Sequence, residues 1–373
     1  KYYTPHNYAR PLHTSDGITL NDMSPDVGED AQGDRALMDA EDALSDTWVW
    51  TEEDKLFLEL LREAHARDIR VIIDGVWNHT GRDFFAFQDL AENQEASPYK
   101  DWYIVRSFDD PATEENEFSY KGWWDVETLP EFANTADEND LHPDPKAYIF
   151  RATERWMDPD GDGDPSDGIN GWRLDVTEEV PRKFWADWNS HVRSINPQAY
   201  TVSEIWNEAS EHVTHGGFSA TMNYHAFAVP VKGFLIDNQI SGAEFESMLV
   251  DRAAKYPERI RFGLQNLIES HDTDRLASMI VNRRSEYEDR NWVDYDRGGV
   301  SPRGGGDYDV RKPTADERRI QRLVALFQMT YVGAPMVYYG TEAGMWGGDD
   351  PDDRMPMTWP EMSFADQASD PRG

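Results

Sequence analysis

Short apolar, β-branched runs alternate with helical periods along most of this chain, and several of those runs end in a cluster of charged residues. Residues 51–67 carry Leu56, Phe57, Leu60, Leu61 and Ala64 at helical spacing, behind acidic residues suited to a first turn. They lead into residues 70–76, a run suited to a buried strand. Further strands are expected within residues 168–176, 199–205, 218–224, 264–270 and 334–339, with helices over 181–195 and 315–330 between some of them. Strand and helix in alternation predict a parallel sheet with crossover helices. Residues 14–47 read as an acidic loop. Residues 82–141, aromatic and rich in turn residues, are too long for a simple connection and read as an inserted subdomain. The expected organisation is a first sheet portion in residues 1–81, the insertion in 82–141 and a second sheet portion in 142–373.

Charge narrows the partners. The 373 residues hold 72 acidic and 36 basic side chains, a formal net charge of −36, and only nine of the basic residues are lysines. Self-repulsion of this size destabilises a compact state in dilute buffer and is screened by salt. A solvated acidic surface adapted to high salt, in a salt-adapted microbe, is the expectation. Nucleic acid is not an expected partner, because its phosphates would be repelled. Aromatic residues make up 12% of the chain, unlike a disordered acidic tail. The sequence has no run of 18 apolar residues, so no membrane partner is expected, and no cysteine, which removes thiolate chemistry. Whether the protein works in the cytoplasm or outside it is left open.

The charged clusters fall after the apolar runs: Asp74 to His79, Arg173 to Asp175, Glu204, and His271 with Asp272. In a (β/α) barrel, side chains at the C-terminal ends of several strands converge on one pocket. Carboxylates gathered there suggest glycoside hydrolysis. A retaining enzyme needs one carboxylate to attack the anomeric carbon and one carboxylic acid to protonate the leaving oxygen, about 5–5.5 Å apart. An arginine two residues before an aspartate on a strand shares its face, so Arg173 can hold and orient Asp175.

Four motifs in order resemble the α-amylase clan of glycoside hydrolases. They are Asp74-Gly-Val-Trp-Asn78-His79, Gly171-Trp-Arg173-Leu-Asp175, Ser203-Glu204-Ile-Trp206 and Ser270-His271-Asp272. The resemblance implies a (β/α)8 TIM barrel, about six of whose strands this chain supplies, with a subdomain inserted after the third. It implies Asp175 as nucleophile, Glu204 as general acid/base and Asp272 as the third catalytic carboxylate, gripping sugar hydroxyls. It places His79, Arg173, Trp206, His271 and Tyr3 against substrate, Tyr3 by stacking on the sugar. Trp123, Trp124 and Trp346 are also expected to face sugars. Glu204-Ile-Trp206, Ser-His-Asp-Thr and Glu179-Val-Pro-x-x-Phe-Trp resemble the cyclomaltodextrinase, neopullulanase and maltogenic amylase group, whereas Glu131-Phe132 departs from that group's usual pair. The expected substrate is therefore an α-glucan, a maltodextrin, cyclodextrin or starch-like chain. Transfer to a sugar acceptor instead of water, and a non-catalytic scaffold, are the rival readings. Members of the clan carry two strands before the Tyr3 segment and a β-sandwich after the last strand, so a longer protein is expected. A homodimer is left open.

Asp158-Pro-Asp160-Gly-Asp162-Gly163 follows the first half of a calcium-loop pattern, with Asp164 and Asp167 as further candidate ligands. The twelfth position is Ile169, not a bidentate acid. Bound calcium and a solvated acidic turn are both open readings of this segment. No organic cofactor is expected.

Overall fold

The computed structural model describes residues 48–283, 308–309, 311–348, 352–355 and 357. Tyr3 and the acidic stretch 14–47 lie outside them. A helix at Glu52–His65 is started by Thr51, whose hydroxyl accepts the N–H of Asp54 while the Asp54 carboxylate accepts the N–H of Thr51. That reciprocal cap satisfies two donors that a helix end would otherwise leave open. It delivers the chain to β1 (Ile72–Gly75).

The next strands by position are β2 (Val105–Ser107) and β3 (Ser119–Tyr120), an antiparallel pair within residues 82–141. After them come β4 (Gly171–Leu174), β5 (Tyr200–Ser203), β6 (Ala220–Thr221), β7 (Gln265–Asn266) and β8 (Ala334–Pro335). β1, β4, β5 and β6 form a parallel sheet in chain order, and β7 pairs parallel with β8. A parallel bridge between Met222 and Gln265 joins the two groups. The six expected runs therefore form one arc of parallel strands. Helices at Pro143–Met157, Arg182–Ile195, Ser210–Gly216, Gly242–Ala253 and Ala315–Thr330 lie between them in sequence. At Gly171 the backbones of β4 and β5 leave no room for a side chain: a Cβ there would sit 1.9 Å from the carbonyl oxygen of Tyr200.

Alternation along the strands divides the arc into two faces. Trp172 and Leu174 of β4 are buried, and Trp172 meets Trp188 of the Arg182–Ile195 helix edge to face. Phe184, Trp185 and Val192 are buried on the same helix. Each such large side chain contributes roughly 1.5–3 kcal/mol of apolar burial. A second core surrounds Val202, Tyr224, Phe227 and Leu267. Arg173 and Asp74, paired in register, belong to the other face. Apolar side chains stay exposed on the helices beside the two ends of the arc: Leu56 and Leu60 at one end, Leu323, Leu326 and Met329 at the other. Among the described residues, no helix is long and apolar enough to cross a membrane.

Candidate active site

The strands end where the polar chemistry begins. The Asp175 N–H donates to the Gly75 carbonyl at 3.0 Å, and the Glu204 N–H to the Leu174 carbonyl at 2.9 Å. Both carboxylates therefore stand one residue beyond their strands while their backbones stay tied to the neighbouring strand. Arg173 lies between them. Its Nη1 donates to Asp175 Oδ1 at 2.5 Å and to both oxygens of Asp74 at 3.0 Å. Its Nη2 is 2.9 Å from Glu204 Oε2, an ion-pair contact. One largely buried guanidinium is thus flanked by three carboxylates. Burial alone would make Arg173 easier to deprotonate, but Glu204, Asp74 and Asp175 reverse that and hold its proton more tightly.

Glu204 is only 9% exposed. Burial pushes its carboxyl up to about 7; the negative charges of Asp175 and Asp272 add to the rise, and Arg173 opposes it. The Val176 N–H reaches Glu204 Oε2 at 3.1 Å, and the Trp206 indole N–H reaches Oε1 at 3.3 Å. Val176 achieves this from the left-handed region, at φ 47° and ψ 44°. A β-branched residue is seldom found there, and the conformation costs about 1–3 kcal/mol. That strain aims the backbone donor next to Asp175 at the neighbouring carboxyl.

Asp272 and His271 come from the loop after β7. Asp272 Oδ1 accepts from Arg354 Nη2 at 3.1 Å, Oδ2 is 3.2 Å from His271 Nε2, and the Asp272 N–H donates to Ser270 Oγ at 3.2 Å. Arg354 also donates to the His271 carbonyl at 2.8 Å. Ser270 is held in turn by the Tyr224 hydroxyl at 2.9 Å, and the Tyr224 ring stacks on Trp206 with centroids 3.9 Å apart. A connected set of contacts thus runs from Asp272 through Ser270, Tyr224 and Trp206 to Glu204. His271 is lowered to about 4 by burial and by Arg173 and Arg354, and burial also lowers His79. Both imidazoles are neutral near pH 7. His79 Nδ1 lies 3.2 Å from the Asn78 side-chain nitrogen, a contact that the tautomer with its proton on Nε2 satisfies.

The expected residues Asp175, Glu204 and Arg173 meet directly, and Asp272 with His271 joins them through this set of contacts. Tyr3 is outside the described residues. Trp346 is buried, 5% exposed, with Lys312 and Arg318 over its ring. Arg354, Tyr224 and Val176 went unnoticed in the sequence. Arg354 lies 82 residues from Asp272, and no spacing links them.

The acidic loop between the Pro143–Met157 helix and β4 brings three of its five aspartates together. Ligand oxygens of Asp158, Asp160 and Asp167 lie within 4.8 Å of one another. Carboxylate oxygens of Asp162 and Asp164 accept backbone N–H groups of Asp164 and Ser166, at 2.7 and 3.1 Å. Burial, then the charge of Asp160, raises the Asp167 carboxyl, as expected of acids crowded without a counter-charge.

Comparison with known proteins fits this geometry. The family described as "Alpha amylase, catalytic domain" matches residues 50–293. Neopullulanase 2 of Thermoactinomyces vulgaris is 35% identical over 305 residues, 82% of this chain and 44% of that protein. A cyclomaltodextrinase from a Bacillus species is 36% identical over 304 residues, 81% of this chain and 46% of its own length. The chain therefore spans under half the length of these curated relatives. Among solved structures, the cyclic α-maltosyl-(1→6)-maltose hydrolase of Arthrobacter globiformis, in complex with that sugar, superposes with a TM-score of 0.64. It is 28% identical, covering 83% of this chain and 59% of that one.

Proposed function

This chain belongs to the α-amylase family, and from that premise we propose that it is a retaining glycosidase cleaving α-glucosidic bonds in maltodextrins and cyclodextrins. The fold is that family's (β/α)8 barrel, to which the described residues contribute six consecutive parallel strands. The observation that carries the reading is the joint placement of Asp175 and Glu204 on one guanidinium, with burial pushing the Glu204 carboxyl up to about 7.

The chemistry follows from the contacts. Arg173 grips Asp175 Oδ1, which leaves Oδ2 as the attacking atom. Oδ2 forms a bond to the anomeric carbon while the bond from that carbon to the glycosidic oxygen breaks, and the Glu204 proton passes to that oxygen. The product is a covalent glucosyl ester on Asp175 and a released sugar. Glu204, now a carboxylate, takes a proton from water as the water oxygen attacks the same carbon, and Asp175 is freed. Asp272, fixed by Arg354 and His271, grips sugar hydroxyls, and the His79 Nε2–H donates to the same sugar. Trp206, stacked on Tyr224, offers an apolar surface beside the acid. The names of the relatives, neopullulanase and cyclomaltodextrinase, support α-glucans as the substrate class.

Two narrower readings accompany this one. Calcium bound by Asp158, Asp160 and Asp167 is supported by three convergent carboxylates, a hard-oxygen donor set that suits a hard cation. Adaptation to high salt is supported by the net charge of −36. The hydrolase reading is tested by incubating the protein in high salt with β-cyclodextrin, starch, pullulan and isomaltose, beside Asp175→Asn, and chromatographing the products. Maltose or glucose released from cyclodextrin by wild type, and none by the variant, is expected. Equal product from both proteins would overturn the assignment of Asp175, and no product from any substrate by folded wild type would overturn the reaction.

A further inference from the structure

Next to the catalytic residues, a stack of rings climbs to the surface. His79 stacks on Trp123 with centroids 5.2 Å apart and planes 11° apart, and Trp123 stacks on Trp124 at 4.7 Å and 24°. His79 is 9% exposed at the inner end, and Trp124 is 77% exposed at the outer end. A large indole left this open beside a sugar-cleaving centre is an unusual use of apolar surface. The backbone has to be forced to present it. Trp124 has φ 52° and Asp125 has φ 58°, two successive non-glycine residues in the left-handed region. The turn that enforces this is fixed from several sides. A Cβ on Gly122 would lie 2.0 Å from the Val126 carbonyl oxygen, so the loop can close only around glycine. The Trp123 N–H donates to the Leu129 carbonyl at 2.9 Å, Asp125 N–H to Gly122 at 2.9 Å and Val126 N–H to Trp123 at 3.0 Å. Arg106 holds the Asp125 carboxylate at 2.9 Å. Antiparallel bridges from His79 to Glu131 and from Gly122 to Pro130 tie the turn to the segment that carries His79. The Trp123 indole nitrogen is buried with no hydrogen-bond partner, a donor left beside the stack.

Strained, braced and exposed together describe a prepared surface. We propose that Trp124 is the platform of an outlying glucosyl subsite, at the outer end of the ring stack that begins at His79. This rests on the α-glucan reading and extends it. Trp123 is covered by His79 on one side and by Trp124 on the other, so the face left open to a sugar is the outer one of Trp124, two ring steps from His79. A chain bound at His79 thus lays a later unit on the open face of Trp124, where the apolar face of the pyranose meets the indole. The subsite makes the protein prefer glucans long enough to reach it.

The test uses the full chain with Trp124→Asn and Trp124→Phe. Asparagine tolerates the left-handed backbone and removes the ring, and phenylalanine keeps a ring. Kinetics on maltotriose and maltoheptaose are compared, with calorimetric binding of maltoheptaose to Glu204→Gln with and without Trp124→Asn. Trp124→Asn is expected to raise the KM for maltoheptaose roughly three- to tenfold, the scale of one aromatic stacking contact. Its effect on maltotriose is smaller, kcat moves less than KM, and Trp124→Phe recovers most of the loss. The calorimetric affinity falls by the same factor. A loss of equal size on both sugars, or none on maltoheptaose, overturns the subsite. A wild-type protein inert towards both sugars would instead count against the hydrolase reading, and the calorimetric comparison would still decide the role of Trp124.

Discussion

Replacing Glu204 by glutamine tests the electrostatics of the site through stability and rate at once. The carboxyl rises from an ordinary 4.5 to about 7, chiefly because burial disfavours its charged form. The folded protein thus holds this proton more tightly than the unfolded chain does. The site exerts no penalty below pH 4.5; the penalty grows between 4.5 and 7 and is constant above. With about 1.4 kcal/mol per unit, the full penalty is about 3 kcal/mol. Glutamine has the same size, can still accept the Val176 N–H and carries no charge at any pH. The stability of Glu204→Gln relative to wild type should therefore shift in the variant's favour by about 3 kcal/mol between pH 4 and pH 8. Any fixed offset from the altered contact with Arg173 drops out of that difference, and so does titration of the acidic residues that do not interact with Glu204. Denaturant unfolding of both proteins at the two pH values, in one salt concentration, measures it. Rate should move the opposite way. Loss of a general acid costs about 10²–10⁴ in turnover, and the wild-type kcat/KM should fall about tenfold per pH unit above 7, as the protonated fraction of Glu204 shrinks. The variant should lack that alkaline limb. A stability difference that is the same at pH 4 and pH 8, or an alkaline limb near 7 that survives in the variant, would refute the reasoning.

The charge and the acidic loop give two further outcomes. With a net charge of −36, thermal unfolding should move upward as KCl rises from 0.1 to 2 M, since the screening length shrinks from about 10 Å to under about 3 Å; a flat or falling midpoint would remove the salt-adaptation reading. Calcium should bind in calorimetry and raise the unfolding temperature, and Asp158→Asn with Asp160→Asn should abolish both effects. Binding that persists in the double variant, or no response in wild type, would leave the loop as a solvated turn.

Much of the site was legible because its residues announce themselves locally. All six apolar runs became parallel strands, but shorter ones: β4 covers Gly171–Leu174 inside the expected 168–176. The remainder of that run holds Asp175 and the left-handed Val176, so the residues that look like more strand are the ones that turn the chain into the site. The helix at Ala315–Thr330 coincides with its expected span, because Thr314 and Glu317 cap it. Arg354 and Tyr224 had no such local mark. Each acts on Asp272 only because distant segments pack together, Arg354 directly and Tyr224 through Ser270. Trp346 had a suggestive position, but packing against Arg318 and Lys312 gave it a buried place.

What the sequence determined by itself was the order of strands and the kinds of side chain at their ends. Both follow from local alternation and from short motifs whose members are neighbours in the chain. The tertiary structure alone decided that one guanidinium is shared by Asp74, Asp175 and Glu204, and that the Glu204 carboxyl is pushed up to about 7. A carboxyl's affinity for a proton depends on how much water is removed around it and which charges face it. Those are properties of segments brought together in space.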